Sequence, residues 1–130
     1  MSVTATMSAF LADALSRDGQ HGEAEELAKF SEEHAPASDI VTQVLWRTAK
    51  ARGLWEQRSP EAEELARYAA ALARDTDYPD LKARSFTCLG QVVDAGEEQA
   101  LLFAEARAAW EEKGNVAAVA RLPVASGHPA

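Results

Sequence analysis

The sequence predicts an all-α protein, a right-handed α-solenoid of three helical hairpins followed by a short C-terminal helix. Three observations lead to this fold class. A short alanine-centred pattern recurs every 38 residues, alanine supplies much of the 47% hydrophobic content, and β-branched clusters are scarce. Self-similarity at a fixed period is typical of stacked repeats, in which each unit buries its apolar face against its neighbours. Alanine is also the strongest helix former.

The recurring pattern belongs to the second helix of each predicted pair. Its copies begin at Ala24 and Ala62, and a looser third copy begins at Ala100. We expect the alanines of all three copies to lie at helix–helix contacts with little exposure. These alanines are Ala24, Ala28, Ala62, Ala66, Ala100 and Ala104.

The first helix of each pair carries a motif of its own. A small residue recurs there every 39 positions, at Ala12, Ala51 and Gly90. A small side chain at such a point allows the paired helix to approach closely. The spacing therefore predicts one close helix contact in each of the three hairpins.

Capping residues predict where several helices begin. Ser38 or Asp39 is the N-cap of the third helix. Ser59 caps the fourth, with Pro60 at the first helical position, where the missing N–H has no helical partner to lose. Pro79 opens the fifth helix in the same way.

Turn residues predict where the helices end. Asp18-Gly19 ends the first helix, Pro36 follows the second, Gly96 lies in the turn of the third pair, Gly114 closes the sixth and Pro123 follows the seventh. The seven predicted helices span residues 5–18, 21–34, 39–57, 60–75, 79–94, 97–113 and 115–122.

The chain of 130 residues is long enough for one domain. We expect a helical repeat domain over residues 1–122 and a flexible tail over 123–130. The N-terminus lacks the basic segment and apolar core of a signal peptide, and no apolar run approaches transmembrane length. Cys88 is the only cysteine, which excludes an intramolecular disulfide. These features predict a cytoplasmic protein.

The net charge of −8 is unevenly distributed. Residues 1–39 hold eight acidic and two basic side chains, so the first helical pair carries most of the negative charge. An acidic chain is repelled by phosphate backbones and by anionic lipid surfaces. We therefore expect neither nucleic acid nor membrane as a direct partner, and we expect the first pair to face solvent or a basic protein.

The first pair resembles the tetratricopeptide repeat. The residues that carry the resemblance are Leu11, Ala12, Leu15, Gly19, Ala24, Ala28 and Pro36. The stretch 38–77, together with Glu112-Lys113-Gly114-Asn115, resembles the C-terminal repeat region of actinobacterial signalling regulators of the cyclase or ATPase type. The resemblance covers about residues 7–118. The period of 38 exceeds the 34 of the family, which implies helices about one turn longer.

This resemblance implies a non-catalytic module that binds a protein or peptide, in bacterial signalling or transcriptional regulation. The family's arrays follow a cyclase-like or ATPase domain, and neither is found in this sequence, so neither activity is expected. The sequence leaves open whether the chain acts alone or belongs to a multidomain regulator.

A catalytic or metal site would need a convergent set of groups, which the sequence does not predict. His21, His34 and His128 form no i, i+4 pair, and we expect each on the solvated surface. Cys88 is expected to be a small buried hydrophobe. We therefore expect no enzyme activity, no cofactor and no metal.

Most of the aromatic residues fit core positions. Phe30, Tyr68, Phe86 and Phe103 are predicted to lie between helices. Trp46 stands off the apolar stripe of the third helix, and two interpretations are open for it: it covers the neighbouring hairpin, or it is a partly exposed anchor.

Basic residues on the first helices of pairs two and three carry the functional prediction. In tetratricopeptide proteins the first helices line a concave groove, and a basic groove suits an acidic or carboxylate-bearing peptide. The predicted partner-binding residues are Arg47, Lys50 and Arg52 on the third helix and Arg84, Thr87 and Gln91 on the fifth. The alternative is that these cations pair with nearby carboxylates, namely Glu61, Glu63, Asp80 and Asp94.

A second function class is also open from the sequence. The chain could be a structural or oligomerisation element of a larger regulator, in which the terminal helix packs against a copy of itself. That interpretation predicts a homodimer without a groove ligand.

Overall fold

The computed structural model describes residues 3–123, and 80% of these residues lie in helices, with no strand among them. The prediction of an all-α protein is confirmed. The helices are α1 (Val3–Arg17), α2 (His21–His34), α3 (Ile40–Glu56), α4 (Glu61–Arg74), α5 (Pro79–Val92), α6 (Glu97–Lys113) and α7 (Val116–Arg121). Each begins and ends within two residues of its predicted bounds. Residues 124–130 of the predicted tail lie outside the described part of the chain.

Local capping explains why the helices begin and end where they do. The carboxylate of Asp39 accepts a hydrogen bond from the Thr42 amide at the start of α3. The Asn115 side chain does the same for the Ala118 amide at the start of α7. Gly114 adopts a φ of +80° and ends α6, a conformation that glycine reaches without strain.

The helices pack as neighbours in a regular order. Within the pairs, α1 packs on α2, α3 on α4 and α5 on α6. Between the pairs, α3 packs on both α1 and α2, and α5 packs on both α3 and α4. The first helices therefore form one row, with α3 between α1 and α5, and α7 covers part of α6.

The repeated alanines are buried in the first two pairs, as predicted. Ala24, Ala28, Ala62 and Ala66 are at most 2% exposed. None of the described helices combines the length and hydropathy that a membrane span requires.

The prediction for the third alanine copy is wrong. Ala100 is half-buried and Ala104 is exposed. The buried positions of α6 follow those of α4 at a spacing of 37 rather than 38, so Phe103, not Ala104, takes the place of Ala66. The small residue Gly90 accommodates the larger ring, because a Cβ added to it would lie 2.5 Å from Cε1 of Phe103.

The aromatic predictions hold in part. Phe86 and Phe103 are buried, whereas Phe30 is half-buried and stacks on the ring of His34. The core prediction for Tyr68 is wrong, because its side chain is exposed on α4. Trp46 is only 5% exposed, which favours its role as a cover for the neighbouring hairpin over that of an exposed anchor.

The predictions for the cysteine and the histidines are confirmed in part. Cys88 is fully buried, as expected, and burial raises the pKa of its thiol to about 11. His34 is exposed, as expected, and His128 lies outside the described residues. His21 departs from the prediction, because it is half-buried and its Nδ1 atom is shielded from solvent.

Candidate binding groove

A buried carboxylate connects the three first helices. Asp13 of α1 is fully buried. Its Oδ1 accepts hydrogen bonds from Arg52 Nη1 at 2.7 Å and from Thr48 Oγ1 at 2.8 Å, both on α3. Its Oδ2 lies 2.7 Å from Arg84 Nη1 of α5 and 3.3 Å from Arg17 Nε of α1. We call these five residues the Asp13 network.

The arginines keep this carboxylate ionised. Burial opposes the charged form of Asp13, but the charges of Arg52, Arg17 and Arg84 outweigh it and hold its pKa below the ordinary value. A buried charge is tolerated when it is paired and its hydrogen-bonding capacity is filled. Removal of the carboxylate would leave Arg52 and Arg17 without their counterion, so the network is expected to fix how the three first helices pack.

Arg84 is the long connection in this network. It starts on α5, and α3 lies between that helix and α1. Its Nε donates a hydrogen bond to Asp80 Oδ2 at 2.7 Å, and Trp110 Nε1 donates to the other oxygen of Asp80 at 3.4 Å. The Arg84 guanidinium is therefore fixed by Asp13 and by Asp80, while 21% of its side chain stays exposed.

The exposed parts of the Asp13 network line one groove. It has a volume of about 840 Å³ and is lined by residues of α1, α2, α3, α5, α6 and α7. Four arginines line it, and we call it the arginine groove: Arg17, Arg52, Arg84 and Arg121. Thr87, Gln91 and the half-exposed ring of Trp55 also face it. Asp18 and Glu56 line it too and are exposed.

The positive charges in the groove repel one another. The pKa of Arg17 lies below its ordinary value, chiefly because of burial, and the smaller effects of the charges of Arg84, Arg52 and Arg121 act in the same direction. The attraction of Asp13 counteracts this only in part. Arg121 is exposed and forms no ion pair within residues 3–123. A bound anion would relieve this repulsion.

A shielded histidine nitrogen also belongs to the groove wall. Nδ1 of His21 has no hydrogen-bond partner in the described part of the chain. It lies beside Gly53 of α3, 3.9 Å from where a Cβ would be. A buried polar atom without a partner is costly, so a water or a ligand group that reaches it would add stability.

The structure divides the predicted partner-binding residues into two groups. Arg52, Arg84, Thr87 and Gln91 line the arginine groove. Arg47 and Lys50 do not line it, and their part in partner binding stays a prediction. The two groups differ because Arg47 and Lys50 lie on another face of α3, toward α2 and α4.

Arg47 and Lys50 already have contacts within the chain. The Arg47 guanidinium lies 4.3 Å from the ring centroids of both Trp46 and Tyr68. Lys50 pairs with Glu32 of α2 at 3.4 Å. Both cations therefore contribute to packing between neighbouring helices.

The predicted alternative, pairing with nearby carboxylates, holds for Arg84 and Asp80. Glu63 pairs with Arg67 instead. Asp13, the main partner of Arg52 and Arg84, was not identified from the sequence. Arg17 and Arg121 were not identified as groove residues either. A signal for Asp13 existed: Asp13, Arg52 and Gln91 recur at the 39-residue spacing, each directly after the small residue of its helix.

Comparison with known proteins assigns the groove to no family. No protein-family model, curated protein or solved structure matches the chain. Within residues 3–123, no three His, Cys, Asp or Glu side chains lie close enough together to hold a metal ion. What the groove can bind therefore has to follow from its own geometry and charge.

Proposed function

We propose that this chain is a non-catalytic protein-interaction module that binds a carboxylate-bearing peptide in the arginine groove. The observation that carries the proposal is the convergence of Arg17, Arg84 and Arg121 on one concave surface of a protein whose net charge is −8. On this proposal the hairpins form a right-handed α-solenoid of tetratricopeptide type. The packing order of α1, α3 and α5 supports that architecture.

The groove cations are suited to carboxylates. A guanidinium can hold a carboxylate through two parallel hydrogen bonds. Arg84 is already fixed by Asp13 and Asp80, so little side-chain entropy remains to be lost when a ligand binds. Arg17 and Arg121 are more exposed and can adjust to the ligand.

The remaining lining favours a peptide over a small anion. Trp55 offers a half-exposed apolar ring, and Thr87 and Gln91 offer hydroxyl and amide groups. A peptide can contact these groups while its carboxylates reach the arginines. The proposed partner is a protein in the cytoplasm, and the proposed role, which follows from the resemblance noted above, is in bacterial signalling or transcriptional regulation.

A pair of peptides tests the proposal. The probe is an acetylated peptide of alternating glutamate and alanine, and its match has glutamine in place of glutamate. We expect the glutamate peptide to bind at least several-fold more tightly in isothermal titration calorimetry. Arg17→Gln and Arg121→Gln should each weaken that binding.

Arg67→Gln is the matched control. Arg67 is also an exposed arginine, but it pairs with Glu63 and Glu98 away from the groove. The proposal fails if the two peptides bind equally, or if Arg67→Gln weakens binding as much as Arg17→Gln and Arg121→Gln do.

The alternative, self-association through the terminal helix, is less favoured. Ala118 of α7 is buried, and Val119 and Leu122 pack against the core formed with α5 and α6. These apolar groups are used within the chain. A concentration-independent monomer in sedimentation equilibrium would argue against the alternative.

A further inference from the structure

The first helix carries an exposed apolar face at one end of the row of helices. Met7, Phe10 and Leu11 of α1 are 66%, 44% and 50% exposed. Leu27 and Phe30 of α2 border them and line the adjoining depressions. We call these five residues the α1 face. It shares no lining residue with the arginine groove.

The 39-residue spacing shows what the same positions do in α3. Met7 corresponds to Trp46 and Phe10 to Ala49. These two residues are only 5% and 2% exposed. They belong to one apolar cluster with Ala28 of α2, so this side of α3 packs against the first pair.

The equivalent positions of α5 are buried in the same manner. A further 39 residues along the chain they are Ser85 and Cys88, both fully buried. The Cys88 thiol donates a hydrogen bond to the Thr48 carbonyl of α3 at 3.6 Å. In α3 and α5, therefore, this side of the helix packs against the pair before it. In α1 the same side is exposed, and it carries the apolar residues Met7 and Phe10.

Acidic residues border the α1 face. Glu23 and Glu26 line the same depression as Leu11, Leu27 and Phe30. The surrounding residues 1–39 carry eight acidic and two basic side chains. A second copy docked here by twofold symmetry would bring identical carboxylates together, which is unfavourable. A basic partner would meet a complementary surface.

We propose that the α1 face binds an amphipathic helix of a partner protein whose apolar stripe is flanked by lysine or arginine. The apolar stripe covers Met7, Phe10 and Leu11. At Met7 and Phe10 this restores the burial that the equivalent positions have in α3 and α5. The flanking cations pair with Glu23 and Glu26. Helices that lay an apolar stripe into a groove are a general mode of recognition.

The test uses a designed probe. The peptide has about 18 residues, with leucine at i, i+3, i+4 and i+7 spacing and lysine on both flanks of the stripe. A matched peptide carries glutamate in place of lysine. We expect the lysine peptide to bind more tightly, with amide chemical-shift changes confined to α1 and α2 and with an association rate that falls as salt is raised.

Substitutions locate the site. Met7→Ser and Leu11→Ser remove exposed side chains, and together they should weaken the lysine peptide about tenfold or more. Glu23→Gln with Glu26→Gln should weaken it several-fold and reduce its salt dependence. The matched control is Leu101→Ser on α6, whose side chain is 58% exposed and which should leave the affinity unchanged.

Three outcomes would overturn the proposal. The first is equal affinity for the lysine and glutamate peptides. The second is an affinity within twofold of wild type for the Met7→Ser, Leu11→Ser variant. The third is a dimer of the chain alone that Met7→Ser abolishes, since the occupant would then be a second copy.

Discussion

Asp13 and Arg52 occupy equivalent positions of two successive first helices, 39 residues apart, and form a buried ion pair with 2.7 Å between Oδ1 and Nη1. Neither side chain is more than 8% exposed. The 39-residue spacing therefore relates the two partners of this ion pair. The same carboxylate binds Arg84, whose free edge faces the groove.

Asp13→Asn should destabilise the fold strongly. The substitution removes the counter-charge of a buried cation, which typically costs about 3–5 kcal/mol. Chemical denaturation monitored by circular dichroism at 222 nm would measure the change in the free energy of unfolding. Asp18→Asn is the control, because Asp18 is exposed. Similar costs for the two variants would contradict the central role of Asp13.

The stability of the protein should depend on pH through the same carboxylate. The pKa of Asp13 is lower in the folded chain than its ordinary value of 3.8. Its ionised form therefore stabilises the fold above that value, and the contribution is lost as the pH falls through the lower, folded pKa. The free energy of unfolding, followed from about pH 6 to about pH 2, should fall less steeply in Asp13→Asn than in wild type. Parallel curves would count against this account.

Helix boundaries could be predicted from sequence because their causes are local. Pro79 at the start of α5 and Gly114 at the end of α6 act within one turn of the chain. The Asp13 network could not be predicted in the same way. Arg84 and Asp13 are 71 residues apart, and their contact exists only after α3 has placed α1 and α5 in one row.

The spacing of the third repeat was mispredicted for a similar reason. The sequence offers Ala100 and Ala104 as the matching small residues, but the chain buries Phe103 instead. What makes this possible is Gly90, on the facing helix. The glycine at position 90 of α5 allows α6 to bury Phe103. The repeat pattern within α6 alone does not contain that information.

Gly90→Ala should be destabilising because of this contact. An added Cβ would meet Phe103 at 2.5 Å, and overpacking of a core typically costs about 1–3 kcal/mol. Combining the change with Phe103→Leu should cost less than the sum of the two single variants. Gly22→Ala on α2 is the control, since no atom lies within 4 Å of its added Cβ. If the stability losses of Gly90→Ala and Phe103→Leu were strictly additive in the double variant, the contact between the two residues would not be tight.

Leucine substitutions test the corrected spacing directly. Ala66→Leu, at a fully buried position, should cost about 1–3 kcal/mol. Ala104→Leu, at an exposed position of α6, should change stability by less than about 0.5 kcal/mol. Melting temperatures of the two variants distinguish the spacing of 37 from that of 38. A large loss at Ala104 together with tolerance at Ala66 would restore the original alignment.

The central claim is that the arginine groove binds carboxylates, and arginine side-chain NMR tests it most directly. The Nε–Hε signals would be followed while the acetylated glutamate–alanine peptide is added. The account predicts that the signals of Arg17 and Arg84 shift with a common saturation curve, while those of Arg67 and Arg74, which pair with Glu98 and Glu105 on the α4–α6 surface, do not move. Shifts at Arg67 and Arg74 without any at Arg17 and Arg84 would contradict it.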